Sequence, residues 1–113
     1  MTVARSNISS CSNSTRGLFV GGTSPAEKDE IDHVTISSTG NAQDFGNLTS
    51  STSYIGSTSS PTRGVFGGGY DSPVFINRIE YVTIPTTGNA ADFGDLSDTR
   101  GGAAACSNGH GGL

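Results

Sequence analysis

Apolar residues in this chain come in short runs separated by stretches of Gly, Ser, Thr, Asn and Asp. Val34-Thr35-Ile36 and Val82-Thr83-Ile84 are β-branched, a composition that fits a pleated, half-buried surface. Leu18-Phe19-Val20 and Val65-Phe66 run into Gly21-Gly22 and Gly67-Gly68-Gly69. Phe45 and Phe93 each precede a Leu, at 48 and 96. The pattern predicts strands at about 6–12, 16–21, 31–36 and 42–48, and again at 53–59, 63–68, 79–84 and 90–96. Thr39-Gly40-Asn41 and Thr87-Gly88-Asn89 predict tight turns, because Gly and Asn tolerate positive φ. No helical apolar period of useful length occurs; 26–30 offers one turn at most. The expectation is an all-β chain of up-and-down antiparallel sheets.

The strands are written twice. The block from Ile31 to Leu48 returns from Ile79 to Leu96, so Val34 and Val82 are 48 residues apart. Thr15-Arg16-Gly17-Leu18-Phe19 returns as Thr62-Arg63-Gly64-Val65-Phe66, 47 residues on. One residue is therefore added between Gly69 and Asn77, which marks an exposed loop. A third copy of the first strand is predicted at 101–107, where Thr99-Arg100 and Cys106-Ser107-Asn108 repeat Ala4-Arg5 and Cys11-Ser12-Asn13. The predicted units are 3–49, 50–97 and a partial 98–113. A period of this size signals stacked small units, none of which buries a core alone, and about three are needed for stability.

Composition narrows the picture. Apolar residues make up 32% of the 113, which would permit disorder were they not placed so regularly. The net charge of −4 and the lack of any basic run argue against nucleic acid as a partner. No stretch is apolar enough for a membrane span, and residues 1–10 carry no signal-peptide core. Export would then need another route, or lysis of a host.

Four short strands per unit, with a double glycine closing the second, is the organisation of a propeller blade. The run Thr-Arg-Gly-Φ-Phe-x-Gly-Gly, a loop, Ile-(Asp/Glu)-(His/Tyr)-Val-Thr-Ile, then Asp-Phe-Gly-(Asn/Asp)-Leu resembles a kelch-type β-propeller repeat over essentially the whole chain. The late-strand Trp of that family is absent, with Phe45 and Phe93 in its place. The Thr-Thr-Gly-Asn-Ala-x-Asp-Phe-Gly-Asp-Leu wording also resembles repetitive phage and viral tail-fibre proteins. The resemblance implies four-stranded antiparallel blades: about two complete and the start of a third. A ring takes ~4–8 blades, so the remainder must come from other copies of the chain or from further blades of a longer one. Three copies would give six blades. Both ends supply a first strand, so a homo-oligomer would carry one redundant strand per chain. That favours a cut length of a longer array. Purified alone, the chain is expected to be oligomeric, aggregated or weakly folded.

Candidate chemistry is sparse. Asp44-Phe45-Gly46 and Asp92-Phe93-Gly94 spell a kinase metal motif without the rest of the kinase set, and their recurrence points to a structural role. Gly67-Gly68-Gly69 lacks the Lys and Ser/Thr of a phosphate loop. Asp29, Glu30 and Asp32 do not form a calcium loop. His33 becomes Tyr81 in the next copy, and His110 lies near the end. Cys11 and Cys106 are repeat equivalents with Thr58 between them, which reads as a small half-buried site rather than a disulfide or zinc pair. Recurrent Arg16 and Arg63 are read as ties between loop carbonyls of neighbouring units. Asn-x-Ser/Thr triplets at 7, 13 and 47 are expected by chance in such a composition. No catalytic residue, cofactor or metal is predicted.

Function is expected where the copies differ. Residues 22–30 and 69–77 diverge most, and variable loops on a fixed scaffold carry recognition. Tyr70 and Phe75 are the first candidates for contact, as aromatic anchors able to stack on sugar faces, with Asp71 beside them. Arg63 is a secondary candidate for acidic sugars. The expectation is a non-enzymatic module displaying loops to a cell-surface glycan or protein, in a virion or other extracellular array. The alternative is a fragment of a propeller enzyme, a kelch-type oxidase or sialidase-like hydrolase. Two units this alike offer little of the differentiated chemistry such an enzyme needs.

Overall fold

The structure, a computed structural model, describes residues 1–108, so His110 and the last part of the 98–113 unit lie outside the described residues. The β-branched and aromatic runs form strands close to their predicted positions. β1 (Ser9–Ser12), β2 (Arg16–Val20), β3 (Glu30–Thr35) and β4 (Gln43–Asn47) make one antiparallel sheet in chain order. β5 (Gly56–Ser59) and β6 (Arg63–Gly67) precede a small hairpin of β7 (Tyr70–Asp71) and β8 (Val74–Phe75). β9 (Arg78–Thr83) and β10 (Ala91–Asp95) then complete a second four-stranded sheet, ordered β5-β6-β9-β10. No helix forms among the described residues. The described residues make two such sheets and no closed ring.

The two sheets share one register. Cys11 faces Leu18 as Thr58 faces Val65, and Leu18 faces His33 as Val65 faces Tyr81. Even the irregularity repeats: Phe45 and Phe93 are the extra residues of a β-bulge in β4 and β10. Such a bulge re-aims a side chain, and here it turns Phe45 into the space between the sheets. The glycines after the second strand have a geometric reason. Gly21, Gly22, Gly68 and Gly69 all have positive φ, and a Cβ on any of them would strike the backbone carbonyl of a neighbouring first segment.

One apolar layer lies between the sheets. Sheet 1 contributes Leu18, Val20, Ile31, Phe45 and Leu48, and sheet 2 contributes Phe66, Val82, Ile84 and Ala90. Their repeat equivalents lie on the two outer faces: Val65, Gly67, Ile79, Phe93 and Leu96 on sheet 2, and Phe19, Val34, Ile36 and Ala42 on sheet 1. None of these equivalents is buried. Phe45 is 3% exposed and Phe93 55%; Ile84 is 0% exposed and Ile36 55%. Identical residues thus have opposite environments, and the sole difference is whether a sheet lies against them.

Polar ties join the two units. Gly88 N–H donates to Phe45 O (2.8 Å), Ala90 N–H to Asn47 O (2.8 Å), and Asn47 N–H to Asn89 Oδ1 (3.0 Å). The Gly-Asn turn of sheet 2 therefore straps the edge strand of sheet 1. Arg16 Nη1 donates to Ile84 O at 3.0 Å, the inter-unit tie expected of that residue. Along the first strands, Ser59 Oγ donates to Ser12 O (2.7 Å) and Ser107 Oγ to Ser59 O (2.6 Å). These hydroxyls line an open groove of about 510 Å³, and the seam already uses them.

The predicted strand at 101–107 is corrected. Among the described residues it forms no ladder. Its start nevertheless repeats the earlier bonds: Gly69 N–H to Arg100 O (2.8 Å) repeats Gly22 N–H to Thr52 O (2.9 Å), and Gly102 N–H to Tyr54 O (2.9 Å) repeats Tyr54 N–H to Asn7 O (3.3 Å). Residues 69–77, expected as loop, include the β7–β8 hairpin.

Cys11 and Cys106 are both free thiols. Cys11 packs against the core, and burial pushes its thiol up to about 11. Iodoacetamide at pH 8 is expected to label exposed Cys106 at least ~10-fold faster than Cys11, because the thiolate is the nucleophile. A thiol pKa raised by folding stabilises below its unfolded value and loses that contribution as pH rises through about 11, so Cys11 makes the fold weaker in alkali. Equal labelling rates would show that Cys11 is not packed. Phe45→Ala is expected to cost ~3–5 kcal/mol in urea unfolding of dilute protein, and Phe93→Ala less than ~1 kcal/mol. Similar costs would show that the two faces are not distinct.

Candidate functional site

The β7–β8 hairpin grows from the exit of β6. Gly68 and Gly69 turn the chain, Ile76 N–H donates back to Gly69 O at 3.0 Å, and Tyr70 pairs with Phe75 and Asp71 with Val74. Two backbone bonds fix the hairpin to the preceding segment: Tyr70 N–H to Ser53 O (2.7 Å) and Ser53 N–H to Tyr70 O (3.0 Å). A chain of polar contacts runs beneath it. Ser50 Oγ donates to Asp71 Oδ2 (2.7 Å), Arg78 Nη2 donates to Ser50 Oγ (2.6 Å), Arg78 Nε pairs with Glu80 Oε2 (3.2 Å), and Thr49 N–H donates to Glu80 Oε1 (2.7 Å). Glu80 is buried, so this chain roots the hairpin in the space between the sheets.

The surface it presents is apolar and aromatic. The Tyr70 and Phe75 rings tilt together with centroids 5.2 Å apart. Phe75 is 52% exposed and Val74 is similarly open. The Phe75 ring lies so close to Gly101 that a Cβ there would meet it. The structure thus brings Tyr70, Asp71 and Phe75 together. Arg63 is elsewhere: it opens β6, paired with Thr83 at the opposite end of the sheet, with its guanidinium 4.5 Å from the Tyr81 ring centroid.

Sequence reasoning missed Tyr54. It adjoins Ser53, is exposed, and has φ 56°. A left-handed backbone is unusual for a bulky aromatic and costs roughly 1–2 kcal/mol. The repeat equivalents are Asn7, at φ 55°, and Gly102, at φ 68°, both types that accept this conformation. The Asn/Tyr/Gly series was the available signal: the backbone requirement is constant, and the aromatic does not serve it. In the first copy Asn7 Nδ2 donates to Thr23 Oγ1 (3.1 Å); the equivalent stations in the second copy hold Tyr54 and Tyr70. The first-copy loop, bridged Thr23 to Glu27, carries no aromatic.

Other candidates fall into structural places. His33 is buried edge-on against Phe45, 5.7 Å between centroids. Among the described residues no group of three or more His, Cys, Asp or Glu side chains is placed to hold a metal ion, and no helix is long and apolar enough to cross a membrane. Comparison with family models found no match to this chain, and comparison with curated proteins found none either.

Tyr54→Asn is expected to raise the unfolding free energy by ~0.5–1 kcal/mol, since it restores a residue suited to positive φ. Urea denaturation checks this; a loss of stability would mean that the ring is packed for the fold rather than displayed.

Proposed function

We propose that this chain is a non-enzymatic repeat module that displays the β7–β8 hairpin for binding. In this reading the two sheets are kelch-like propeller blades, 3–49 and 50–97, with 98–113 beginning a third, and the module belongs to a viral fibre or other extracellular adhesive array. The observation that carries it is the contrast between equivalent loops. The same backbone scaffold bears Thr23 and Glu27 in one copy and Tyr70 and Phe75 in the other. In the second copy Phe75 and Tyr54 stay exposed, Tyr54 against its own backbone preference. Exposed aromatics on a rigid, hydrogen-bonded base make good anchors because little ordering entropy remains to be lost on binding. Their faces suit the C–H face of a sugar ring or an apolar patch of a protein, and Asp71 Oδ1 is available to accept from a hydroxyl or amide.

Fluorescently labelled chain on a glycan array and on intact cells tests the reading. Tyr70→Ala with Phe75→Ala is expected to reduce binding at least ~10-fold while leaving the far-ultraviolet β signal unchanged, as for the loss of central anchors. Equal binding by the double variant, or no binding by the parent chain to either surface, would overturn it.

A further inference from the structure

The outer face of sheet 2 is a groove of about 290 Å³ lined by Val65, Ile79, Leu96 and residues 103–105. In sheet 1 the equivalent residues, Leu18, Ile31 and Leu48, are covered by Phe66, Val82 and Ile84 of sheet 2. The equivalents of those covering residues are the half-buried Phe19 and Val34 and the exposed Ile36, on the outer face of sheet 1. One molecule therefore carries both halves of a contact that it already makes once internally. We propose that the outer face of sheet 2 binds the outer face of sheet 1 of a second copy, head to tail, reproducing the internal contact.

The repeat assigns the bonds. Gly40 and Ala42 N–H of the second copy donate to Phe93 and Asp95 O, as Gly88 and Ala90 donate to Phe45 and Asn47 O. Asn41 of the second copy accepts from Asp95 N–H, as Asn89 does from Asn47. Arg63 donates to Ile36 O of the second copy, as Arg16 does to Ile84 O. This gives a role to Arg63 and to the exposed Phe93, neither of which the hairpin uses.

One slot is contested. Residues 98–107 lie where the second copy's 3–12 must fall. The incoming segment is the better held: β1 has a full ladder with β2, and Arg5 forms a fully buried ion pair with Asp32 at 2.7 Å. It also brings Ile8, where the resident segment has Ala103. Residues 98–107 have no ladder, and Arg100, the equivalent of Arg5, is exposed. The incoming segment displaces them, and the exposed Phe75 ring swings aside for the Cβ of Ser6, which takes the station of Gly101. Such a contact joins unlike surfaces, so it propagates to a closed ring or a filament.

Sedimentation and light scattering over a concentration series test the proposal. The parent chain is expected to associate. Phe93→Lys and Ile36→Lys are each expected to weaken association at least ~10-fold with an unchanged β signal, since both side chains are exposed in the single chain. Mixing the two variants is expected to restore a capped one-to-one pair, because each retains the face that the other lacks. In the associated parent, hydrogen exchange slows at 93–95 and quickens at 98–107. Tyr70→Ala leaves association unchanged, which separates this result from that of the hairpin. A parent chain that stays monomeric would overturn the proposal and leave a further sheet of a longer chain as the occupant. Variants that associate like the parent, a mixture that forms no pair, or unaltered exchange at 98–107 would each overturn it as well.

Discussion

Each sheet of this chain carries apolar side chains on both of its faces, and one neighbour covers only one of them. Burying a Phe or Ile side chain is worth roughly 1.5–3 kcal/mol, so the layer between the sheets is the main source of order in a chain with so few apolar residues. Leu18, Ile31 and Phe45 from one side and Phe66, Val82 and Ile84 from the other make that layer. The remainder of the design follows from holding two identical four-stranded units at this one spacing. The bulge aims Phe45 into the gap, the glycine pairs admit a carbonyl of the next segment, and the Gly-Asn turn closes over the edge strand.

Buried polar groups on the faces of the sheets are matched rather than avoided. In the first unit Arg5 from the leading segment meets Asp32, and both side chains are fully buried. In the second unit Thr52 stands at the station of Arg5, Arg78 at that of Glu30, and Glu80 at that of Asp32. The cation has moved from the leading segment to the third strand, and the acid has lengthened by one methylene to meet it. A buried charge left without its partner is costly, so such exchanges must occur in concert. The serine seam is simpler. Ser12, Ser59 and Ser107 recur because a serine hydroxyl donates to the preceding strand's carbonyl, as Ser59 and Ser107 do.

The aromatic hairpin stands outside this logic. Its backbone is tied to Ser53 and its base to Ser50, Arg78 and Glu80, yet its apolar side chains face outward. Tyr70, Asp71 and Phe75 were legible as a group because they fall where two otherwise similar copies diverge. Tyr54 was passed over: its signal lay in the Asn7/Tyr54/Gly102 series, which marks a left-handed backbone but does not tell where the ring points. Arg63 was legible as a recurrent residue, but its distance from the hairpin was not: both belong to the sequence around β6, and the direction of that strand sends them to opposite ends.

The sequence by itself determined the local structure. Periodic β-branched runs, glycine pairs and Gly-Asn turns specify strands and turns through near-neighbour sterics, and repetition specifies that the same sheet forms twice. It also indicated, through the third Arg…Cys-Ser-Asn, that the pattern continues beyond two units. Only the tertiary structure decided which copy of each residue is buried. Phe45 and Phe93 sit in nearly identical local sequence, and Ile36 and Ile84 do likewise; their environments differ because burial depends on what lies across the gap, and that is a property of neighbours far along the chain. The segment predicted as a strand at 101–107 likewise forms no ladder among the described residues, since a strand depends on pairing as well as on propensity.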